Sequence, residues 1–302
     1  PNLIDWELLS AFGSEYGAHG GVWECPDLIQ LPVEGEDQKK WVLIVSINPG
    51  GPNGGSVVQY FVGEFDGVEF VCDDRPEVVK WADFGRDFYA AVTWSNFPEP
   101  IWIGWMSNWQ YANQVPSEPF RSAMSIPRKL GLRRVDGEFT LVQSPIDLSS
   151  LFKKAVVSNE TITLRPSEIY QVKLDNRPLF AKANVLNSTA SEFLITFRGE
   201  QERLKIVFDQ KRKEVRIDRR DSGQISFSEL FASIDRMPLA RLNDFTLILD
   251  KTSIELFVNQ GDRVMTELFF PLESEFTLDF RALDGEVILE NVELRHLEST
   301  WK

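Results

Sequence analysis

The sequence predicts an all-β protein of two parts, in which a propeller, barrel or sandwich precedes a second β domain. Three features support this fold class. Apolar runs of strand length recur at roughly ten-residue spacing, with turn residues between them. The second half alternates apolar and polar residues with period two, and no helical period competes. Aromatic residues make up 12% of the chain, a composition that suits strands.

The first half contains eight predicted strands. Residues 6–12 are read as a strand that follows a turn, and 66–67 (Asp-Gly) as the tight turn of a hairpin. A strand–turn–strand unit recurs at about 45–50 residues, the size of a propeller blade. The predicted strands are 6–12, 41–47, 56–65, 68–71, 88–94, 101–106, 122–126 and 138–142.

A domain boundary is predicted close to residue 148. Ser144 and Pro145 are suited to the cap and first position of a short helix there. Eight of the nine Trp precede residue 150. We therefore divide the chain into 1–148, a propeller-like part, and 149–302, a two-sheet sandwich whose half-buried strands include 193–197, 204–208, 245–249 and 254–258.

Composition excludes several classes of function. The net charge of −14 argues against binding to phosphate backbones or anionic membranes, but not against a neutral sugar. Cys25 and Cys72 do not indicate a disulfide framework, and His19 and His296 lack metal-type spacing. No apolar run approaches the roughly 18 residues of a membrane span. We expect no cofactor and no metal.

Glu24 is the candidate with the most specific setting. It lies between Trp23 and a Cys-Pro pair, after a glycine-rich approach. A carboxylate there is expected to be partly shielded from water, which favours its protonated form and suits a general acid. The alternative is an ordinary turn residue.

Two further stretches carry polar and aromatic side chains suited to sugars. Asp83, Arg86 and Asp87 flank a glycine before a strand and can hydrogen-bond hydroxyl groups, or else form an ion pair in a solvated turn. In the second stretch the rings of Trp105 and Trp109 can face sugar C–H bonds with the Asn108 amide nearby, whereas Trp102 reads as a core residue. A third stretch, 121–128, reads as structural.

Together these stretches resemble glycoside hydrolase family 32, the β-fructosidases (invertases, levanases and inulinases). The matching segments, in family order, are Glu-Cys-Pro-Asp-Leu from Glu24, Val-Ser-Ile-Asn-Pro-Gly from Val45, Gln-Tyr-Phe-Val-Gly from Gln59, Asp-Phe-Gly-Arg-Asp-Phe-Tyr-Ala from Asp83, Gly-Trp-Met-Ser-Asn-Trp-Gln-Tyr from Gly104 and Met-Ser-Ile-Pro-Arg from Met124. Segments from Arg220, Asp250 and Met265 are similar to the family's C-terminal sandwich. The resemblance covers essentially all 302 residues.

The resemblance implies a partial five-bladed β-propeller followed by a β-sandwich, and retaining hydrolysis of β-fructofuranosyl bonds in sucrose or fructans. Glu24 is the implied acid/base and Trp105 an implied wall of the fructose pocket. Asp83, Arg86, Asp87, Asn108 and Trp109 are the other expected sugar contacts. A secreted or periplasmic location is favoured over a cytoplasmic one.

The sequence departs from the family in one respect. The Asn-Asp-Pro-type motif that carries the nucleophile and the Arg-Asp-Pro motif of a third carboxylate do not occur, and Asp74-Arg75-Pro76 has the wrong order and place. We therefore expect Pro1 to correspond to a point inside the third blade, with the nucleophile on an N-terminal segment or second polypeptide that completes the propeller. No nucleic acid or membrane partner is expected.

Two readings from other classes stay open. One is a catalytically incomplete carbohydrate-binding β protein, in which sugar binding depends on Trp105 and not on Glu24. The other is a purely structural module that serves assembly and binds no fructose. The intact acid/base motif favours the enzyme, and the absent nucleophile motif favours the other two.

Overall fold

The computed structural model describes residues 2–174 and 178–300, which form β-sheets joined by loops and two short 3-10 turns, Ser149–Leu151 and Asn259–Gly261. The strands of the first half are β1 Val22–Pro32, β2 Lys39–Asn48, β3 Val57–Phe65, β4 Phe70–Cys72, β5 Lys80–Trp81, β6 Tyr89–Thr93, β7 Ile101–Met106, β8 Ala123–Met124, β9 Arg128–Val135 and β10 Glu138–Pro145. The strands of the second half are β11 Phe152–Leu164, β12 Ile169–Leu174, β13 Leu179–Ser188, β14 Glu192–Arg198, β15 Arg203–Asp209, β16 Glu214–Asp221, β17 Ile234–Pro238, β18 Asp244–Leu249, β19 Ser253–Val258, β20 Arg263–Leu268, β21 Phe276–Leu283 and β22 Val287–Leu297.

The first half forms two antiparallel sheets of similar plan. One has the order β1-β2-β3-β4 with β5 on β3, and the other has the order β10-β9-β7-β6 with β8 on β7. β1 and β6 are therefore the edge strands of their sheets, and they contact each other. Apolar side chains between the sheets, among them Ile44, Val58, Phe88 and Trp102, are buried and form one cluster. The prediction that Trp102 is a core residue is confirmed.

The second half is a sandwich of two six-stranded sheets. Their orders are β11-β22-β13-β18-β19-β20 and β12-β21-β14-β15-β16-β17. Alternate residues of each strand point inward, as in β14, where Phe193 and Ile195 are buried and their neighbours are partly exposed. The period-two pattern of the sequence thus corresponds to inward-facing positions, and the all-β fold class is confirmed.

Several predicted elements differ from the structure. Residues 6–12 form no strand, because they have no backbone partner among the described residues, and Trp6 and Leu8 are 80% and 86% exposed. The predicted cap and first residue of a short helix, Ser144 and Pro145, are wrong, since both end β10 and pair with Lys129 and Arg128 in an antiparallel ladder. The short helical turn of this stretch lies further on, at Ser149–Leu151. Strands β1 and β9 were not predicted. The repeat is also longer than 45–50 residues, because β1 begins at Val22 and β6 at Tyr89.

The strands of the two halves lie on either side of residues 146–151, in keeping with the predicted division at 148/149, which stays a prediction. Within the described residues no helix is long and apolar enough to cross a membrane.

Candidate active site

Two side-chain contacts link the edge strands β1 and β6. The hydroxyl of Tyr89 donates a short hydrogen bond to Oε2 of Glu24. Further along both strands, the backbone N–H and the hydroxyl of Thr93 donate to Oδ2 of Asp27, at 2.9 and 2.7 Å. Glu24 is therefore fixed between two sheets rather than standing on a loose turn.

The backbone turns at matching positions in both strands. The β1 register shifts between Glu24 and Asp27, and the β6 register shifts between Tyr89 and Val92. Cys25 and Ala90, the residues directly after the linked pair, each have a φ of 49°. A β-bulge re-aims a side chain, and a non-glycine residue at positive φ is uncommon. The two bulges explain how Glu24 and Tyr89 point at each other across the gap between sheets.

The expected shielding of Glu24 is not what the structure shows, because the Glu24 side chain is exposed. β1 is an edge strand, so the side of Glu24 away from Tyr89 has no covering strand in the described part of the chain. Tyr89, in contrast, is only 2% exposed. Burial and the hydrogen bond to Glu24 both raise the pKa of Tyr89. Tyr89 thus stays a hydrogen-bond donor to Glu24 at neutral pH.

An aromatic surface begins beside this pair. Tyr89 is the strand partner of Trp105, with ring centroids 6.3 Å apart. The Trp105 ring contacts that of Trp109 at 4.8 Å, and Trp109 is 51% exposed. The structure therefore brings together Glu24, Trp105 and Trp109 of the predicted residues.

Asp83 lies elsewhere, in a fully buried ionic cluster where the halves meet. Arg128, also fully buried, donates to Asp83 at 2.9 Å and to Glu255 at 2.7 Å. The hydroxyl and backbone N–H of Thr266 in the sandwich complete the shell of Asp83. Burial raises the pKa of Glu255 against the opposing effect of Arg128. Both oxygens of Asp83 are occupied and the side chain is fully buried, so this carboxylate has no free acceptor within the described structure, and its sugar contact stays a prediction.

Asp87 and Arg86 belong to a second cluster at the same interface. Asp87 accepts from Arg219 at 2.7 Å and is fully buried. Arg86 donates to Asp235 of β17 at 2.7 Å. Burial and the charge of Asp235 raise the pKa of Glu267 well above its usual range, which favours the neutral acid. Two arginines then face two aspartates. Asp87 and Arg86 thus bind residues of the sandwich, and their expected contact with sugar stays a prediction.

Asn108 is likewise a structural residue and not a free amide. It is fully buried, donates to the Arg86 carbonyl at 2.8 Å, and accepts from the Gln110 N–H at 3.0 Å. A Cβ on Gly55 would lie 2.0 Å from its Oδ1. Asn108 therefore packs the loop that carries Trp109 against residues 54–56.

Tyr89 is the residue that the sequence interpretation missed. It follows the charged residues Asp83, Arg86 and Asp87, and a tyrosine at the start of a strand is usual for a core residue as well as for a site residue. The available signal was its place at the start of a strand that follows a charged loop.

The chemistry that this arrangement supports is proton transfer beside an apolar platform. Glu24 has one oxygen held by Tyr89, and among the described residues no hydrogen bond to its Oε1 is found. No group of three metal-ligating side chains occurs within residues 2–174 and 178–300.

A groove of about 790 Å³ lies in the sandwich, between the β14–β15 turn and residues 272–277. Its Glu202 and Glu273 are occupied by backbone N–H groups, so it offers no comparable chemistry.

Comparison with known families gives one match to each half of the chain. The profile "Glycosyl hydrolases family 32 N-terminal domain" matches residues 1–145, and "Glycosyl hydrolases family 32 C terminal" matches residues 144–296.

Individual relatives agree with this match. A levanase of Bacillus subtilis (strain 168) is 38% identical over 99% of this chain and 46% of its own length. The extracellular exo-inulinase of Aspergillus awamori is 36% identical over 99% of this chain and 59% of its own length. The crystal structure of an exo-inulinase from the same organism superposes with a TM-score of 0.90 and 35% identity, covering 99% of this chain and 61% of that one. A β-fructofuranosidase of Schwanniomyces occidentalis, complexed with fructosyl-erythritol, has a TM-score of 0.83 at 32% identity over 99% and 64%. The chain thus spans about half the length of the curated relatives it matches.

Proposed function

The chain belongs to glycosyl hydrolase family 32, and from that premise we propose that the protein carrying it is a β-fructosidase. It hydrolyses terminal β-D-fructofuranosyl bonds in sucrose or fructans with retention of configuration. The observation that carries the proposal is the position of Glu24, which Tyr89 holds at an exposed strand edge beside Trp105 and Trp109. The relatives named levanase and exo-inulinase support the substrate class.

In the proposed mechanism Glu24 acts twice. Its free oxygen first protonates the leaving oxygen of the glycosidic bond, while a second carboxylate attacks the anomeric carbon. Glu24 then takes a proton from the water that hydrolyses the fructosyl–enzyme bond. Trp105 and Trp109 offer ring faces to the sugar, with Trp109 the more exposed of the two.

The nucleophile, in this proposal, comes from a segment outside residues 1–302. A retaining enzyme needs its two carboxyl groups about 5–5.5 Å apart. Within the described residues, Asp27 is occupied by Thr93, and Asp83 and Asp87 are occupied by buried arginines. An N-terminal segment or second polypeptide that covers the edges of β1 and β6 completes the five-bladed propeller and supplies the nucleophile.

Three further points belong to the same proposal. Residues 1–148 form the C-terminal part of the propeller, and residues 149–302 form the sandwich. A secreted location is supported by the relative that is named an extracellular exo-inulinase. Sucrose and fructans are the expected ligands, supported by the related structure that holds fructosyl-erythritol.

The test compares leaving groups in the protein with its N-terminal portion present. Glu24→Gln removes the acid, so kcat on sucrose, inulin or levan falls by about 10²–10⁴-fold. On p-nitrophenyl β-fructofuranoside the loss in the first step is much smaller, because a nitrophenolate leaves without protonation. Glu99→Gln, which changes an exposed glutamate paired with Lys129, is the matched control and leaves both rates unchanged.

Residues 1–302 alone are expected to release no fructose. Turnover by that chain, abolished by Glu24→Gln, contradicts the placement of the nucleophile. Equal losses of kcat/KM, which reports the first step, on both substrates contradict the acid role of Glu24.

A carbohydrate-binding protein without catalysis is the second candidate, favoured by the exposed ring of Trp109 and by the occupied carboxylates. It predicts binding of fructo-oligosaccharide that Glu24→Gln leaves intact and Trp105→Ala weakens, with no hydrolysis even when the N-terminal portion is present.

A further inference from the structure

Three consecutive residues before and in β6 join the candidate site to the C-terminal half. Asp87 binds the sandwich, Phe88 lies under Arg128 with its ring centroid 4.2 Å from the guanidinium carbon, and Tyr89 binds Glu24. The side chain that holds Glu24 is thus directly attached to two residues at the boundary between the halves.

Asp87 is fixed by both its backbone and its side chain. Its N–H donates to the Thr266 carbonyl at 3.1 Å. Its Oδ2 accepts from Arg219 at 2.7 Å and from the Leu268 N–H at 2.8 Å, and its Oδ1 accepts from Tyr111 at 2.8 Å. Every one of these contacts is buried, and Arg219, Thr266 and Leu268 all belong to the sandwich. A chain segment held this firmly at Asp87 has little freedom two residues later, where β6 begins.

Arg219 is itself held on several sides. It donates to Ser233 at 3.0 Å and to the Leu268 carbonyl at 3.2 Å, and its guanidinium lies 4.2 Å from the ring centroid of Phe231. The planar guanidinium presents donors in fixed directions, which a lysine ammonium does not. The sandwich therefore presents a rigid anchor and not a flexible surface charge.

We propose that Tyr89 is a positioning residue for Glu24, and that the sandwich, through Arg219 and Asp87, holds Tyr89 in place. The proposal deepens the proposed function and rests on it for the role of Glu24. By binding Oε2, Tyr89 leaves Oε1 as the oxygen that carries the transferred proton. By anchoring Asp87, the C-terminal half controls which way that oxygen points.

The test reads the ionisation of Tyr89 and needs no turnover. The five tyrosines are labelled with ¹³C at Cζ, and Tyr89→Phe identifies the signal of Tyr89. At about pH 11 an unperturbed tyrosine is mostly ionised, whereas Tyr89 in the unaltered chain stays protonated. Glu24→Gln removes the neighbouring acceptor and moves the Tyr89 midpoint downward by about one pH unit. Circular dichroism at each pH verifies the fold.

Asp87→Asn then tests the anchor. It loosens the strand, so Tyr89 gains water and loses its alignment with Glu24, and its midpoint moves downward as well. Asp279→Asn is the matched control, because Asp279 is a buried aspartate paired with Arg198 in the sandwich and has no link to β6. It leaves the Tyr89 midpoint unchanged. If Asp87→Asn does not fold, Arg219→Lys takes its place, because lysine keeps the positive charge and loses the planar set of guanidinium donors.

A folded Asp87→Asn or Arg219→Lys chain whose Tyr89 signal titrates as in the unaltered chain overturns the anchor. A Glu24→Gln chain with an unchanged Tyr89 midpoint overturns the positioning contact. Neither result depends on whether the protein hydrolyses fructosides, so a failure here is distinct from a failure of the proposed function.

Discussion

Arg219→Met tests whether the buried ionic cluster holds the two halves together. The arginine is fully buried and contacts three carboxyl groups, at 2.7 Å to Asp87, 3.0 Å to Glu267 and 3.8 Å to Asp235. Methionine fills similar space with an unbranched apolar chain and removes every donor. Asp87 then keeps its bonds from Tyr111 and the Leu268 N–H but loses its counter-charge.

Two magnitudes compete for the outcome. If Arg219 only supplied ordinary hydrogen bonds, its loss would cost about 1 kcal/mol for each net bond. Removing one partner of a buried ion pair costs more, about 3–5 kcal/mol, because the remaining charge is left unpaired and desolvated. The zero exposure of both Arg219 and Asp87 places this pair in the second class. We therefore expect a loss of about 3–5 kcal/mol in the free energy of unfolding.

The assay is urea unfolding followed by two signals. Tryptophan fluorescence reports the first half, which holds eight of the nine Trp, and circular dichroism reports both halves. In the unaltered chain we expect the fluorescence and dichroism transitions to coincide. In Arg219→Met we expect the fluorescence transition to occur at a lower urea concentration than the dichroism transition. Arg220→Met is the matched control, because Arg220 is exposed and pairs with Asp218 at the surface. We expect this substitution to change nothing measurable. A loss under about 1 kcal/mol with coincident transitions refutes the reasoning.

Three further predictions concern other parts of the structure. The raised pKa of Glu267 means that its contribution to stability is fully present below the unfolded-state value of about 4.3 and is lost as the pH rises toward its folded-state pKa. Glu267→Gln does not titrate, so its melting temperature rises relative to that of the unaltered chain as the pH increases above about 4.3, and a pH-independent difference contradicts this. Gly85→Ala destabilises the chain by about 1–3 kcal/mol or more, because the alanine Cβ would lie 2.0 Å from the Thr266 carbonyl oxygen. Urea unfolding measures this loss, and an unchanged free energy of unfolding would mean that the two halves can move apart at Gly85. Trp105→Ala weakens fructo-oligosaccharide binding about tenfold in calorimetry by removing a ring face, and unchanged affinity removes Trp105 from the site.

The strands that the sequence predicts well are those whose pattern is local. Residues 41–47 and 101–106 are continuous apolar runs bounded by turn residues, and they correspond to β2 and β7. The sequence pattern does not predict β1, because Cys25, at positive φ, and Pro26 interrupt the alternation of apolar and polar residues at the bulge. The same bulge that hides the strand from a pattern is what directs Glu24 toward Tyr89.

The sequence indicates which residue types make up the candidate site better than it indicates their contacts. Glu24, Trp105 and Trp109 lie together, whereas Asp83 and Asp87 face partners that a local pattern does not reveal. Arg219 is 132 positions away from Asp87 in sequence. The local sequence around a charged residue beside a glycine is the same whether that residue binds a sugar or a buried arginine. Only the three-dimensional contacts distinguish the two.

The segment around Gly85 explains why the halves meet through charge and not through apolar packing alone. Apolar surfaces attract without direction, so they permit several relative orientations of a sheet and a sandwich. Asp83 and Asp87, on either side of a glycine that lets the Thr266 backbone approach, each require one arginine in one direction. A buried network satisfied in only one arrangement can select that arrangement. Because Tyr89 follows Asp87 by two residues, that selection extends to the carboxyl of Glu24, and the orientation of the halves and the geometry of the acid are set by the same contacts.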